Sequence, residues 1–367
     1  MGPVRGRAAV FTRIGQPLEI REYPLPALEP EALLVKISMA NICGSDLHFI
    51  KGLGPGVPQG IPQVLGHEMM GRVYDRGRAA TVDTQGQPLR PGDRVVYAYF
   101  KGCGRCAACL HGAPGCATRY RHWIGASCEE PPHFRGAYGD YYYLQGGQWV
   151  FRVPDELPDA VVSPVNCALA EVIYGLHRIG LAPGDSLVIQ GVGGLGLCAT
   201  AVARELGAGT IIVADRIPAR LELAREMGAD HAINVETTQP GERIQQVRDL
   251  TGGGADVVVE LAGTPEVLPE GTEMLRYGGR YLWIGNINLG VTGTIDPAQI
   301  VRGGRTVMGV VVYEAWAIPR ALDFLRRTHR RYPFHKILSH TFALEQINQA
   351  FAFASQGTAI RVGIVPH

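Results

Sequence analysis

Lysine is almost missing from this 367-residue chain: only Lys36, Lys51, Lys101 and Lys336 occur, and arginine supplies nearly all the positive charge. That bias speaks of genome composition rather than of function. The formal net charge is only +1, so nothing in the charge balance asks for nucleic acid or an anionic membrane as a partner. No run of 18 or more apolar residues occurs, and the stretch from Met1 to Arg7 has no apolar core of the kind a secretory signal carries. A soluble, cytoplasmic protein is the expectation. Internal repeats and low-complexity tracts are also missing. The 48 glycines fall in short clusters between apolar runs, the texture of many strands and tight turns.

What is there is an ordinary globular composition, 46% apolar and 19% charged, in a chain longer than one hydrophobic core usually serves. Two domains are therefore expected. Residues 1–168 contain short apolar or alternating runs, Ala8 to Arg13, Leu33 to Met39, Gly71 to Asp75 and Arg94 to Tyr99, and no long helix. They predict a mostly antiparallel, barrel-like β-domain. Residues 169–311 change pattern. Ser186 to Gln190, Thr210 to Ala214, His231 to Val235, Asp256 to Glu260 and Arg280 to Ile284 read as strands. Leu195 to Leu206, Arg216 to Met227 and Glu242 to Leu250 read as helices between them, with Pro265 to Leu275 as a further crossover. Such alternation predicts an α/β fold, a parallel, doubly wound sheet with helices on both faces. Residues 312–367, with amphipathic helices at Ile318 to Thr328 and Leu344 to Ala354 and a last strand Arg361 to Val365, are placed back with the first domain.

The hexapeptide Gly191-Val192-Gly193-Gly194-Leu195-Gly196 fits the G-x-G-x-x-G pattern. Gly191 allows the tight turn, Gly193 lets backbone approach a pyrophosphate, and Gly196 brings the helix close to the strand. The helix N-terminus then faces the phosphates. A strand before it, a helix after it, and Asp215 at the end of the next strand give the motif its context. Asp215 can accept hydrogen bonds from both ribose hydroxyls and repels a 2′-phosphate, which favours NAD over NADP. Arg216 and Arg220 are the counterweight, because guanidinium groups can grip that phosphate or simply lie on a helix surface.

The eight cysteines are placed unevenly. Cys103, Cys106, Cys109 and Cys116 crowd into residues 101–118 and offer four thiolates, enough to close a tetrahedral structural zinc site. Cys43, Cys128, Cys167 and Cys198 stand apart, and Cys198 on the helix after the glycine loop reads as core. Cys43 opens Cys43-Gly44-Ser45-Asp46-Leu47-His48, and His67 and Glu68 adjoin in Gly66-His67-Glu68-Met69-Met70-Gly71-Arg72-Val73. Cys43, His67 and Cys167 would make three ligands with one open position, as catalytic zinc requires. Each residue also has a plain reading, as a small buried hydrophobe or a satisfied core histidine. His111, His122, His133 and His177 have no ligand-like spacing.

Together with Gly136-Ala137-Tyr138-Gly139-Asp140-Tyr141, these motifs resemble the zinc-dependent alcohol dehydrogenases of the medium-chain dehydrogenase/reductase superfamily, over nearly the whole chain. The resemblance implies a GroES-like catalytic domain, a Rossmann domain binding NAD, and an active site in the cleft between them. It implies that Cys43, His67 and Cys167 ligate a catalytic zinc, with Glu68 beside the metal or alternating as a ligand. Ser45 would hydrogen-bond the substrate oxygen, His48 would be the outer member of a proton relay, and Asp46 would orient His67. A hydride would then pass between NAD and an alcohol, ketone or aldehyde.

Two departures from the family pattern stand out. The last gap of the cysteine lobe is six residues rather than seven, and Glu171 stands where many relatives carry a threonine that touches the nicotinamide. Glu171 has three readings: cofactor or substrate contact, competitor for the metal, or acidic opening of a helix. A polyol or sugar-alcohol dehydrogenase, a zinc-free enone reductase and a non-catalytic protein on the same fold are the alternatives. The family is commonly dimeric or tetrameric, and Tyr281 to Ile284 near the sheet's edge agrees with a homodimer or homotetramer. Phe49, Trp123 and Ile287 are expected to line the substrate pocket.

Overall fold

The protein is described from a computed structural model, over residues 4–53 and 60–366. The first three residues of the N-terminal stretch read above lie outside that description. Strands in the first part of the chain are β1 (Arg5–Phe11), β2 (Glu19–Pro24), β3 (Leu33–Ile42), β4 (Gln63–Val64), β5 (Glu68–Arg76), β6 (Arg94–Tyr97), β7 (Tyr141–Leu144) and β8 (Val150–Arg152). There follow β9 (Leu187–Gln190), β10 (Ile211–Asp215), β11 (His231–Asn234), β12 (Ala255–Glu260), β13 (Leu275–Trp283) and β14 (Thr306–Gly309). The chain ends with β15 (Leu338–Ala343) and β16 (Arg361–Val365).

Two units emerge. One comprises Met1–Cys167, Glu314–His329 and Phe334–His367; the other comprises Ala168–Tyr313 and Arg330–Pro333. In the first, a sheet of order β15-β16-β3-β5-β6-β8, with β7 added to β3, is antiparallel throughout except for the β15–β16 pair. A smaller sheet has the order β2-β1-β4. The long strand β3 is the spine, because it pairs with β5, β7 and β16. Its apolar residues Leu33, Val35, Ile37 and Ala40 are buried. This register delivers Asn41 opposite Glu68, so the C-terminal end of β3 meets the N-terminal end of β5. The residues just outside those ends, Cys43 and His67, are thereby brought together.

The second unit is a six-stranded, wholly parallel sheet of order β11-β10-β9-β12-β13-β14. The order reverses between β9 and β12, since the chain first builds outward through β10 and β11 and then returns to the other side of β9. The core residues Val188, Ile212, Val258, Ile244, Val247 and Leu268 come from strands and helices alike, as a sheet covered by helices requires. The helices Gly194–Glu205 and Pro218–Glu226 begin one residue earlier and two later than the sequence suggests. In the second case Pro218 takes the first helical position, where its missing N–H costs nothing.

Tyr281 to Ile284, at the end of β13, lies near the edge of the sheet, and the edge strand itself is β14, which pairs with β13 on its outer side. β14 is four residues long and mostly exposed, so it carries none of the apolar alternation by which strands are read. The helical stretch Asp159–Ile179 is long and apolar enough to cross a membrane by length and composition, yet 78% of its apolar 18-residue window is buried inside the protein, as core helices are.

Candidate functional site

The metal-capable group of the first unit is assembled by three chain segments. Cys43 follows β3 and caps the helix Gly44–Ile50, His67 precedes β5, and Cys167 sits in a π-helical stretch, Val165–Leu169. π-helical turns are rare and often mark functional positions. Gly66 must turn the chain sharply into His67: its φ is +85°, and a Cβ there would lie 2.8 Å from the Tyr138 ring.

Ligand atoms of Cys43, His67, Glu68 and Cys167 all lie within 4.8 Å of one another, and all four residues are buried. Cys167 Sγ is 3.5 Å from His67 Nε2. A tetrahedral zinc shell separates sulfur from nitrogen by about 3.6 Å, from bond lengths near 2.3 and 2.05 Å. The donor set therefore fits such an ion. Ser45 Oγ is 3.5 Å from the same Nε2 atom, which puts a hydroxyl beside the ligand cluster.

The opposite edge of His67 faces Asp46, with Nδ1 3.3 Å from Oδ1. Asp46 is fully buried; its Oδ2 accepts from the Cys43 N–H at 2.9 Å and from the Tyr138 hydroxyl at 2.8 Å. Burial works against charging His67, but Asp46 and the Cys43 thiol hold its pKa well above the ordinary histidine value. Cys43 is pulled well below the ordinary thiol value by its contact with Cys167, against burial and with help from His67. Glu68 is pushed up to about 8 by burial, while its ion pair with buried Arg361 pulls the other way. The site thus favours thiolate at Cys43, the form that binds metal.

Three residues of this site carried no assigned role in the sequence. Asn166, fully buried, donates to the carbonyls of His67 and Tyr97 at 2.9 Å each and accepts from the Met69 N–H at 3.2 Å. It ties the Cys167 turn to both strands beside it. Tyr138 and Arg361 were visible only as parts of longer motifs, and nothing in one dimension pairs Tyr138 with Asp46 or Arg361 with Glu68. The rings of Tyr99 and Trp123 flank His67, with centroids 4.8 and 5.1 Å away, and Phe49 packs against Trp123 at 5.8 Å. His48 is half-buried on the helix Gly44–Ile50.

The four-cysteine lobe forms the second metal-capable group: Cys103, Cys106, Cys109 and Cys116 also place their sulfurs within 4.8 Å of one another. Cys103 and Cys109 are 4.0 Å apart. That matches the about 3.8 Å between sulfurs around tetrahedral zinc, so the six-residue gap does not prevent closure. The Thr118 hydroxyl and the Cys103 N–H bring Cys116 down to about 5. His122 stays out of both groups; its Nε2 donates to the Tyr99 carbonyl at 3.1 Å.

In the second unit the glycine loop joins β9 to the helix Gly194–Glu205. Gly191 has φ +93°, and a Cβ there would stand 2.8 Å from the Ala262 backbone. At Gly196 a Cβ would meet the Gly191 carbonyl at 2.1 Å, whereas at Gly193 it would meet nothing. The loop is packed tight behind and open in front, a cradle a pyrophosphate fits. Gly194 and Leu195 begin the helix. Asp215 ends β10, and its two oxygens accept from the N–H groups of Val192 at 2.8 Å and Ile217 at 2.9 Å. Arg216 is exposed, and burial lowers the pKa of Arg220. Glu171 opens the helix Ala170–Ile179, and its Oε1 accepts from the Val312 N–H at 2.9 Å. It belongs to neither metal-capable group.

Comparison with known proteins gives two family matches: "Alcohol dehydrogenase GroES-like domain" over residues 29–155 and "Zinc-binding dehydrogenase" over residues 194–327. A 5-exo-hydroxycamphor dehydrogenase of Pseudomonas putida is 31% identical over 360 residues, covering 97% of each chain. Among solved structures, an alcohol dehydrogenase from Thermotoga maritima has a TM-score of 0.92 at 31% identity, covering 99% of this chain and 100% of its own. A benzyl alcohol dehydrogenase from Acinetobacter calcoaceticus has a TM-score of 0.85 at 28% identity, covering 99% of each chain.

Proposed function

Since the chain belongs to the zinc-dependent alcohol dehydrogenases of the medium-chain dehydrogenase/reductase superfamily, we propose that it interconverts an alcohol and its ketone or aldehyde using NAD, with one catalytic and one structural zinc. The observation that carries this reading is the buried cluster of Cys43, His67 and Cys167 with a hydroxyl, Ser45, beside the ligand atom of His67. When bound, zinc supplies Lewis acidity at the substrate oxygen, and the nicotinamide supplies the hydride acceptor or donor.

The chain's own residues supply position and proton handling. Cys43, His67 and Cys167 hold the metal, and Asp46 keeps the His67 ring turned so that Nε2 faces it. Glu68, paired with Arg361, is held as a neighbour of the metal rather than a competitor for it. Ser45 receives the hydroxyl proton of the substrate, and His48, three residues on along the same helix, carries it outward. Cys103, Cys106, Cys109 and Cys116 close a metal that has no room for substrate. The Gly191–Gly196 loop and Asp215 hold the dinucleotide, with Asp215 favouring NAD.

Tyr99, Trp123 and Phe49 give the His67 side of the ligand cluster an aromatic wall, which favours apolar, ring-bearing alcohols over polyols. The names of two relatives, acting on a camphor alcohol and on benzyl alcohol, agree with that preference. The test is a zinc determination combined with NAD reduction on a panel of cyclic, aromatic, aliphatic and polyhydroxylated alcohols. Two zincs per chain and turnover on ring-bearing alcohols are expected. Turnover without zinc, or zinc without any turnover across the panel, would refute the proposal.

A further inference from the structure

We propose that Glu260 is a positioning residue for the nicotinamide half of the bound dinucleotide, acting through the loops that leave β12 and β13. The inference rests on the NAD reading given above and adds a residue to it. Ligands of open parallel sheets bind beyond the carboxyl ends of the strands, where the strand order reverses. Here the reversal lies between β9 and β12. Asp215 tips β10 and the glycine loop tips β9, so they take the adenine-side ribose and the pyrophosphate. A dinucleotide laid across the tips in the order β10, β9, β12 reaches the tip of β12 with its other half. Glu260 is the last residue of β12.

Its side chain is fully buried, which for a carboxylate demands full use of its oxygens. Oε1 accepts from the Gly263 N–H at 2.6 Å and Oε2 from the Asn286 N–H at 3.0 Å. Its main-chain carbonyl accepts from Ile284 at 3.2 Å and Gly285 at 3.1 Å. One residue therefore pins the loop after β12 and the loop after β13. Gly285 permits the close approach, since a Cβ there would lie 2.7 Å from Glu260 Oε1. The pinned loop also backs the cofactor turn: the Ala262 backbone stands 2.8 Å from where a Cβ of Gly191 would be. None of these bonds lies between helix and core, where a carboxylate would serve stability alone. All of them lie at strand tips on the ligand side.

Glu260→Gln keeps size and shape, but its amide nitrogen leaves one of the two N–H groups without an acceptor. In the full-length, zinc-loaded protein, NADH and ADP affinities are measured by calorimetry; ADP shares the adenosine and pyrophosphate and lacks the rest. NADH binding is expected to weaken tenfold or more, with ADP binding within twofold of the native value. Gly285→Ala, which keeps the carboxylate but sets a methyl against its Oε1 and so disturbs the same brace, is expected to show the same selectivity and serves if the first variant does not fold. Equal weakening of both ligands, or a lowered melting temperature with NADH affinity unchanged, overturns the proposal. Native protein that fails to bind NADH overturns the NAD reading itself, a result seen before any variant is made.

Discussion

Tyr138→Phe isolates one hydrogen bond in the chain that orients His67. Tyr138 is fully buried and packs edge-on against Phe351, with ring centroids 5.5 Å apart, so phenylalanine fills the same space. What disappears is the hydroxyl that donates to Asp46 Oδ2 at 2.8 Å. Asp46 keeps the Cys43 N–H as its remaining donor on that oxygen, and its other oxygen stays 3.3 Å from His67 Nδ1. A buried hydrogen bond to a charged group contributes about 1.5–3 kcal/mol. Losing about 2 kcal/mol of the force that holds Asp46 in place corresponds to roughly thirtyfold in an equilibrium constant. Deletion of outer partners of metal-binding histidines weakens metal binding by about 10–100-fold. The expected result is zinc affinity at the Cys43–His67–Cys167 site lowered about thirtyfold in chelator competition, with the four-cysteine lobe keeping its metal.

The internal comparison is Tyr97→Phe. Tyr97 is equally buried and stacks on Tyr142 at 5.0 Å, but its hydroxyl has no hydrogen-bond partner among the described residues. Removing an unpaired buried hydroxyl is neutral or stabilising by about 1 kcal/mol. The same chemical deletion therefore weakens the metal site at Tyr138 and leaves it unaltered at Tyr97. Zinc affinity of Tyr138→Phe within threefold of native, or equal losses in both variants, would refute the orienting role of the Tyr138–Asp46–His67 chain.

Asp215→Gly is expected to lower kcat/KM with NAD at least tenfold and to raise it with NADP, because Arg216 and Arg220 then meet a 2′-phosphate with no carboxylate opposing it; steady-state kinetics with both cofactors decide this, and an unchanged ratio counts against Asp215. His122 supplies a pH dependence outside the metal sites. Burial lowers its pKa from 6.5 to about 4, so between those values the unfolded chain takes up the proton before the folded one. The stability this neutral ring contributes is complete above pH 6.5 and declines as pH falls through 4, by about 3 kcal/mol in all. A pH series of melting temperatures on native protein and His122→Gln should show a steeper acid decline for the native chain, and parallel curves would contradict the buried neutral ring.

Legibility in the sequence followed how locally each feature is encoded. The glycine loop, the cysteine lobe and the β–α alternation between Ser186 and Ile284 all lie in short windows whose spacing carries their geometry. Strand β14 escaped notice because Thr306–Gly309 is exposed and has no apolar face to alternate. Strand β7, Tyr141–Leu144, escaped for the opposite reason: all four residues are buried, which removes the alternation as surely as exposure does. Glu171 could be placed by its neighbours as the acidic start of a helix, but its hydrogen bond to Val312 joins residues 141 apart.

Read along the chain, the chemical groups at hand are plain: two thiols and an imidazole able to hold one metal, four thiols able to hold another, a glycine loop, and an acidic residue one strand on. These are properties of residue type and short spacing, and they survive without coordinates. Which groups face one another is settled by the fold in three dimensions. It set Tyr138 behind Asp46, Asn166 between His67 and Tyr97, Arg361 against Glu68, and Glu260 between two loops. Most of these bonds join residues 69 to 293 positions apart, brought together by sheet register and chain reversal. Burial then makes each such pairing obligatory, because a carboxylate, amide or guanidinium taken out of water must find a partner wherever the fold puts it.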